Sequence, residues 1–464
     1  MRTGLHIAVS MFVLGIGVSL AADWTQWAHD PQHNGYLPDV QGQSVGAIRW
    51  ALTIDNTISP SGSILIHYAS PLIDQANNIF MTKKERIDTI IHRSVMKLDA
   101  DGNVGCSYES DYVPPPSAWE PVFHPVLANG ILYVPGARGV LHLVSPDDCT
   151  EFKGSPIAPY EIPEDELIRQ QLLTTVFVAG VPSVDLKGNL YYPMLARLGA
   201  PLDLKNQFVK VDPSGGVSSV NYADLTGDSS QRPPLNGGAA IGPDGTIYIG
   251  SVGGPGWLLA LNPDLTLKWQ GSMSADPGRA AMLIDQSSSC PVVGPDGRVF
   301  YGGWNSNGQS QGYLYSFSPD GVFLGSFDFG WDTTPAVYPD PDGDPAHYHL
   351  VQKYNRYAER RYYMVSLDPN TMSIECQWEL VGREWCINAP AIDQTGAIYT
   401  NGEDGYLYRL TGMYPVNGKC NPDRTRILLD QARDAAYTPL ALAPDGAIYT
   451  LNNGRLFAVG DPIQ

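Results

Sequence analysis

No two cysteines are adjacent in this 464-residue chain, and its six lack the spacing of a zinc site or a haem-attachment motif. Positive charge is scarce as well: 29 Lys and Arg face 48 Asp and Glu, a net charge of -19. That balance opposes the basic surface on which non-specific binding to nucleic acid or anionic lipid depends, so neither partner is expected. Beyond the N-terminus no apolar run approaches a membrane span. Nucleophile elbows, phosphate loops and metalloprotease helices are also missing, which removes several familiar hydrolase and nucleotide-binding readings.

At the N-terminus, Arg2, an apolar run from Ile7 to Leu20 and the small residues Ser19-Leu20-Ala21 read as a secretory signal over residues 1–21. With no cysteine at the cleavage point, a lipid anchor is not expected. The remainder, 22–464, is expected to be a single exported domain, secreted or periplasmic, soluble and monomeric.

Eight times a small residue, usually followed by proline, introduces an apolar run, a polar turn and a Tyr- or Phe-bearing strand. The runs PVVGPDGRVFYGG from Pro291, PAIDQTGAIYTNG from Pro390 and PLALAPDGAIYTLN from Pro439 show it, and the others start at Pro71, Pro125, Pro182, Ala239 and Pro335. A spacing of roughly 44 to 57 residues is that of a four-stranded propeller blade. The fold class is therefore all-β: an eight-bladed β-propeller of four-stranded antiparallel blades. The last repeat stops one strand short at LFAVG, and the strand around Trp50 can supply the missing outer strand and close the ring. One insertion, PEDELIRQQLLTT from Pro163, reads as a helix capping the region between blades 2 and 3.

Cys106 and Cys149, and likewise Cys376 and Cys420, lie about one blade apart. In an exported chain this predicts Cys106–Cys149 and Cys376–Cys420 disulfides pinning neighbouring outer strands. Cys290 and Cys386 read as buried thiols near inner strands.

In a propeller the first and third turns of each blade lie on one face, and the middle and inter-blade loops on the other. The hairpin face gathers Asp74, Asp101, Asp185, Asp244, Asp264, Asp296, Asp320 and Asp445, mostly from turn chemistry, and is expected to be inert. The loop face collects Arg232, Arg279, Arg383 and Arg433 between blades, and Lys83, Lys84, Arg86, Arg93, Arg197, Lys353, Arg356, Arg360 and Arg361 in middle loops. Trp119, Trp304, Trp331, Tyr354, Tyr357, Trp385 and Tyr437 interleave with them. Guanidinium forks suit carboxylates and aromatic faces stack on flat ligands or sugars, so this face is the expected binding surface. Glu120, His124, Asp332, Glu384 and Asp434 are weak acid–base candidates there. They read first as structural ion pairs between blades and, for His124, as a packed histidine. Asp340, Asp342 and Asp344 form an acidic loop, read as a solvated turn before a calcium site.

The turn–strand units GPDGTIYIG (from Gly242) and GPDGRVFYG (from Gly294), with the outer-strand residues Trp50, Trp269 and Trp378, resemble the PQQ-like β-propeller superfamily, which includes quinoprotein alcohol dehydrogenases and the outer-membrane assembly propeller. The opening Trp24-Thr25-Gln26-Trp27, with His29 and Asp30, is similar to exported members of uncertain role. The resemblance implies the eight-bladed fold and, for the dehydrogenases, pyrroloquinoline quinone (PQQ) and calcium as cofactors. The adjacent cysteine pair those enzymes place against the quinone is missing, and no calcium-binding Glu, Asn and Asp set is recognised. The expected function is a binding or scaffold module for an anionic small molecule, saccharide or protein on the loop face. The alternative is an enzyme using the central funnel, either a divergent quinoprotein oxidoreductase or one acting on an acidic polysaccharide.

Overall fold

Each repeat begins with an inner strand of two to four residues, because a turn follows almost at once. In blade 4 the strand Ala240–Ile241 runs into Pro243-Asp244-Gly245, where Asp244 accepts from the Thr246 N–H at 2.9 Å and Gly245 takes φ +83°. The chain then reverses through Ile247–Ser251, Trp257–Leu261 and Leu267–Ser272, pairing each strand with the one before it. The computed structural model describes residues 23–57, 69–117, 120–254, 256–305, 311–385, 387–432 and 439–461. Among them the repeats form eight antiparallel sheets, the blades of a β-propeller. No helix among the described residues is long and apolar enough to cross a membrane.

Two blades depart from the four-stranded pattern. Blade 2 has three strands (Val126–Ala128, Ile131–Pro135, Leu141–Val144), its outer position held only by single bridges from Glu151 and Ile157. Blade 3 gains a fifth strand, Val176–Val178, on the far end of Leu190–Ala196. The helix of the insertion, Glu166–Thr175, leads into that strand. It starts three residues later than Pro163 because Asp165 caps it, accepting from the Leu167 and Ile168 N–H groups. Leu172 buries this helix against Val126, Tyr133 and Tyr192, at the seam of blades 2 and 3.

Blade 8 closes the ring as expected: Ala47–Thr53 pairs with Arg455–Gly460. From that outer strand the Trp50 indole donates to the Ala100 carbonyl of blade 1 at 2.8 Å and lies on Gly102, where a Cβ would meet the ring at 2.7 Å. Trp269 of blade 4 repeats the contact on blade 5, donating to Pro319 at 2.9 Å over Gly321. Here an outer-strand tryptophan and a turn glycine form one interlocking unit between blades. Trp378 differs, lying beneath Arg424 at 4.9 Å. Disulfides Cys106–Cys149 and Cys376–Cys420 link blades 1 to 2 and 6 to 7, with Cα separations of 5.8 and 5.7 Å. They fit a protein of an oxidising compartment, extracellular or periplasmic. Cys290 is a buried free thiol, and Cys386 lies outside the described residues.

The segment before the closing strand has a larger role than its length suggests. Short inner strands leave an edge of N–H and C=O groups facing the axis, and buried backbone groups need partners. Residues 24–43 supply them blade by blade. Trp24 exchanges two 2.8 Å bonds with Ile73, and Thr25 accepts from Leu127 at 2.9 Å. The Gln26 amide pairs with the Val184 backbone, and Pro31 and Gln32 accept from Ile241 and Val293. Asn34 takes Val337, Gly35 and Leu37 bracket Ile392, and Gln43 reaches Gly446 of blade 8. The segment thus circles the axis as a girdle touching blades 1 to 8 in order. Gly35 has φ +64°, and a Cβ there would lie 2.7 Å from the Pro390 carbonyl, so the course requires glycine. Trp27 and Ala28 of the girdle pack with Val122, Val181, Cys290 and Ala389, filling the axis.

Candidate functional site

The loop face is built from the second and third strands of the blades, where they extend beyond the ring, and from the inter-blade connections. In blade 1 the strands Ile79–Ile87 and Ile90–Leu98 are nine residues each, and in blade 6 Tyr348–Arg356 and Arg361–Asp368 are nine and eight. Lys83, Lys84, Arg86, Arg93, Lys353, Arg356 and Arg361 therefore stand on projecting strands rather than in loops.

Where these strands meet the connections, most of the positive charge has a partner. Glu120 sits between Lys84 and Arg93, at 2.6 Å from each, and Lys84 also lies 3.3 Å from Asp55. Burial alone would raise the Glu120 pKa, but the two cations hold it below the usual carboxylate range. This cluster borders a small cavity of about 40 Å3 with Thr82, Pro121 and Phe123. Arg232 pairs with Asp285 at 2.7 Å, and Arg279 donates to the Ser326 carbonyl at 2.7 Å. Arg356 pairs with Glu359, and Arg361 with Glu379. Arg383 is exposed at the start of the blade 6–7 connection.

A second, sealed polar cluster lies between blades 5, 6 and 7. Ser288 donates to Asp332 at 2.5 Å, Asn388 donates to Ser288 at 3.1 Å, and Thr334 donates to Asn388 at 3.1 Å. Asp332 and Asn388 are fully buried, as is nearly all of Lys353. Glu384 accepts from Asn355 at 3.2 Å and from the Tyr357 hydroxyl, whose pKa is raised first by burial and then by Glu384, with Asp332 contributing. Two acid–base candidates, Asp332 and Glu384, thus border one phenol. The serines, threonines and asparagines that join them were not singled out in the sequence. Apart from Asn355 on a projecting strand, their one signal was position, one to three residues before the inner-strand prolines.

The remaining candidates fall elsewhere. His124 is fully buried at the axis, edge-on to Trp27 at 5.6 Å, with its Nδ1 2.5 Å from the Pro125 carbonyl. Burial lowers its pKa to about 3. Trp385 is core, packed against Trp378 and Tyr408, and Trp331 is buried beside Trp304. Neither offers its ring to a ligand in this arrangement. Trp119, Arg433, Asp434 and Tyr437 lie outside the described residues. In the acidic turn of blade 6, on the hairpin face, ligand atoms of Asp340, Asp342 and His347 converge within 4.8 Å, while Asp344 accepts from the Ala346 N–H instead. The imidazole makes this donor set unlike the all-oxygen shell calcium prefers.

Ring closure, repeat and blade interlocks together define an eight-bladed β-propeller. The structure is similar to the quinohemoprotein alcohol dehydrogenase of Comamonas testosteroni, with a TM-score of 0.60 and 12% identity over 96% of this chain and 81% of that one. It is also matched, at a TM-score of 0.48 and 11% identity, by BamB of Moraxella catarrhalis over 89% of this chain and 97% of that one. The quinohemoprotein alcohol dehydrogenase ADHIIG of Pseudomonas putida HK5 gives 0.42 and 12%, over 95% and 76%. No family model matches the sequence, and no curated protein matches it. At this identity the likeness concerns the fold. The axis at the level of the inner strands is packed by Trp27, Val122, Val181, Cys290 and Ala389. A flat quinone does not fit between those side chains, and no chemistry is routed through one.

Proposed function

We propose that the protein is an exported binding module, its signal at 1–21 removed, whose loop face docks an acidic, partly apolar protein segment. The observation that carries this reading is the projecting hairpin of blade 1. Its strands exceed the five-residue Ile247–Ser251 of blade 4 by four residues, or about 13 Å of extended chain. Ile87, Ile90 and Ile91 at its tip are 51, 62 and 37% exposed. Ile87 and Ile90 pair across the hairpin, and Ile91 pairs with Arg86 on its other face. Apolar side chains exposed together at one tip favour an interaction surface. Arg86 beside them forms no ion pair among the described residues, which favours a partner carrying carboxylates. A saccharide would gain little from three isoleucines. Support for binding over catalysis comes from the acid–base candidates: Glu120 is engaged by two cations and His124 is sealed at the axis.

The test is selection of a random peptide library on the immobilised full chain. Enrichment of acidic sequences with apolar residues, lost in an Ile87→Asp/Ile90→Asp variant that keeps its thermal stability, is the expected result. No enrichment, or sequences indifferent to the variant, contradicts the reading. So does a saccharide array in which acidic glycans bind and an Arg383→Ala change abolishes the signal.

A further inference from the structure

The hairpin face holds a cavity of about 470 Å3 between the first turns of blades 1, 2 and 3, floored by the girdle. This is within the range of small-molecule sites. Asp30 comes from the girdle and Asp23 from the residue before it, Asp74 and Asp185 from the turns of blades 1 and 3, and Asp147 from the third turn of blade 2. No lining residue is Lys or Arg, and none of the five carboxylates forms an ion pair among the described residues. On the loop face, by contrast, carboxylates such as Glu120, Asp285, Glu359 and Glu379 are matched with cations.

A group of aspartates alone is ordinary on a face made of Asp-Gly turns. Two further observations set this one apart. His29 lines the same cavity, is 7% exposed, and its Nδ1 has no hydrogen-bond partner. Burial keeps the ring neutral down to about pH 4, so it offers a lone pair rather than a charge. Its backbone is also held at φ +80°, next to Ala28 at φ +50°, a conformation L residues adopt only when the surroundings enforce it. Asp30 is 4% exposed, and its Oδ1 accepts from the Asn34 N–H at 3.0 Å. Burial lifts its pKa to about 7, so a cation beside it would be worth more than at the surface.

The spacing of the acids selects among cations. Among the described residues the one set of three His, Cys, Asp or Glu ligand atoms converging within 4.8 Å is Asp340, Asp342 and His347, far along the chain from this cavity. No three of the five aspartates therefore converge on one bare metal ion, whereas a flexible molecule with several ammonium groups can bridge them. We infer that the cavity between blades 1, 2 and 3 binds a small organic polyamine, its ammonium groups on Asp23, Asp30 and Asp147 and one N–H on the His29 ring.

Calorimetric titration of the full chain with spermidine at low ionic strength tests this. One saturable site is expected, weakened about tenfold by Asp147→Asn and by Asp30→Asn, the loss of one charge-assisted contact each. Asp147 is exposed in a turn, so its variant keeps the test usable if Asp30→Asn fails to fold. Ala128→Arg, which places a cation in the cavity, should abolish binding, whereas Asp320→Asn, outside it, should leave affinity unchanged. Several equal weak sites, or affinity indifferent to Asp147→Asn and Ala128→Arg, would show adsorption to a protein of net charge -19 and overturn the inference. Calcium chloride displacing spermidine at equal concentration would overturn it as well, in favour of a bare cation.

Discussion

The two faces of this propeller use the same few residue types in opposite ways. On the loop face, acids and bases from different blades meet: Glu120 joins Lys84 and Arg93 across a seam, and Arg232 joins Asp285. On the hairpin face, aspartates bond first to their own turns, as Asp74 does with the Ala76 and Asn78 N–H groups and Asp185 with those of Lys187 and Asn189. Asp244, Asp296 and Asp445 also pair with Lys268, Arg298 and Arg49, but Asp74 and Asp185 form no ion pair among the described residues, and beside Asp23 and the girdle's Asp30 their charge accumulates in a cavity. Charge that holds blades together is unavailable to a partner. Charge left over from turn geometry remains free for one. Part of the face expected to be inert thus carries, on this reading, uncompensated negative charge gathered in one cavity.

The girdle separates the faces, so its removal should have the largest effect. Trp27→Ala, at a site 2% exposed, is expected to cost about 3–5 kcal/mol in urea unfolding. Gly35→Ala should also be strongly destabilising, because it adds a clash to an unfavourable φ. Losses below about 1 kcal/mol for both would mean the axis can close without the segment. Next in size, replacing Cys376 and Cys420 with serine should cost about 2–4 kcal/mol, while leaving spermidine affinity unchanged. Those cysteines join blades 6 and 7 and not the cavity.

Acid should weaken the axis selectively. Burial lowers the pKa values of His29 and His33 to about 4 and that of His124 to about 3, so below about pH 6.5 the unfolded rings bind protons that the folded ones refuse. Asp30 acts oppositely: its folded carboxyl, raised to about 7, keeps a proton that the unfolded one has lost above about pH 4. Three against one leaves a net uptake of about two protons on unfolding from these groups, so their contribution falls as pH drops from about 6.5 to about 4. Denaturant midpoints across that window should fall, and His124→Gln should flatten the slope by about one proton. An unchanged slope would remove His124 from the account. The smallest effect belongs to the exposed loop face: Arg383→Ala should alter stability by less than about 0.5 kcal/mol.

Most of the ring was legible in the sequence because its determinants are local. The proline-led apolar run, the Asp-Gly turn and the aromatic strand recur at fixed offsets, and Trp50 with the truncated last repeat gave the closure. Spacing of one blade between Cys106 and Cys149 likewise located a bridge, although it and Cys376–Cys420 each tie one outer strand to a turn segment of the next blade rather than, as expected, to a second outer strand. Blade 2 escaped because its missing outer strand is replaced by irregular bridges at Glu151 and Ile157, which have no periodicity. The girdle escaped for a related reason: its bonds join residue 24 to 73 and residue 35 to 392, contacts set by the ring and not by neighbours in sequence. Its amides, Gln26, Gln32 and Asn34, and its single Gly35 were the available hints. The site was less legible still. Charges could be assigned to faces, but whether Glu120 met a cation or stood free depended on how blades 1 and 2 packed. Trp385, read as a surface aromatic, turned inward against Tyr408.

Amide hydrogen exchange of the intact chain tests the central claim most directly, namely that the segment 24–43 seals the inner edges of the blades. Leu127, Ile241, Val293, Val337 and Ile392 donate their N–H groups to it, each from a different blade. The account predicts that these five amides exchange only with global unfolding, at rates matching the central strands, and that Gly35→Ala accelerates all five together. Exchange of these amides at loop-like rates in the unaltered protein would contradict it.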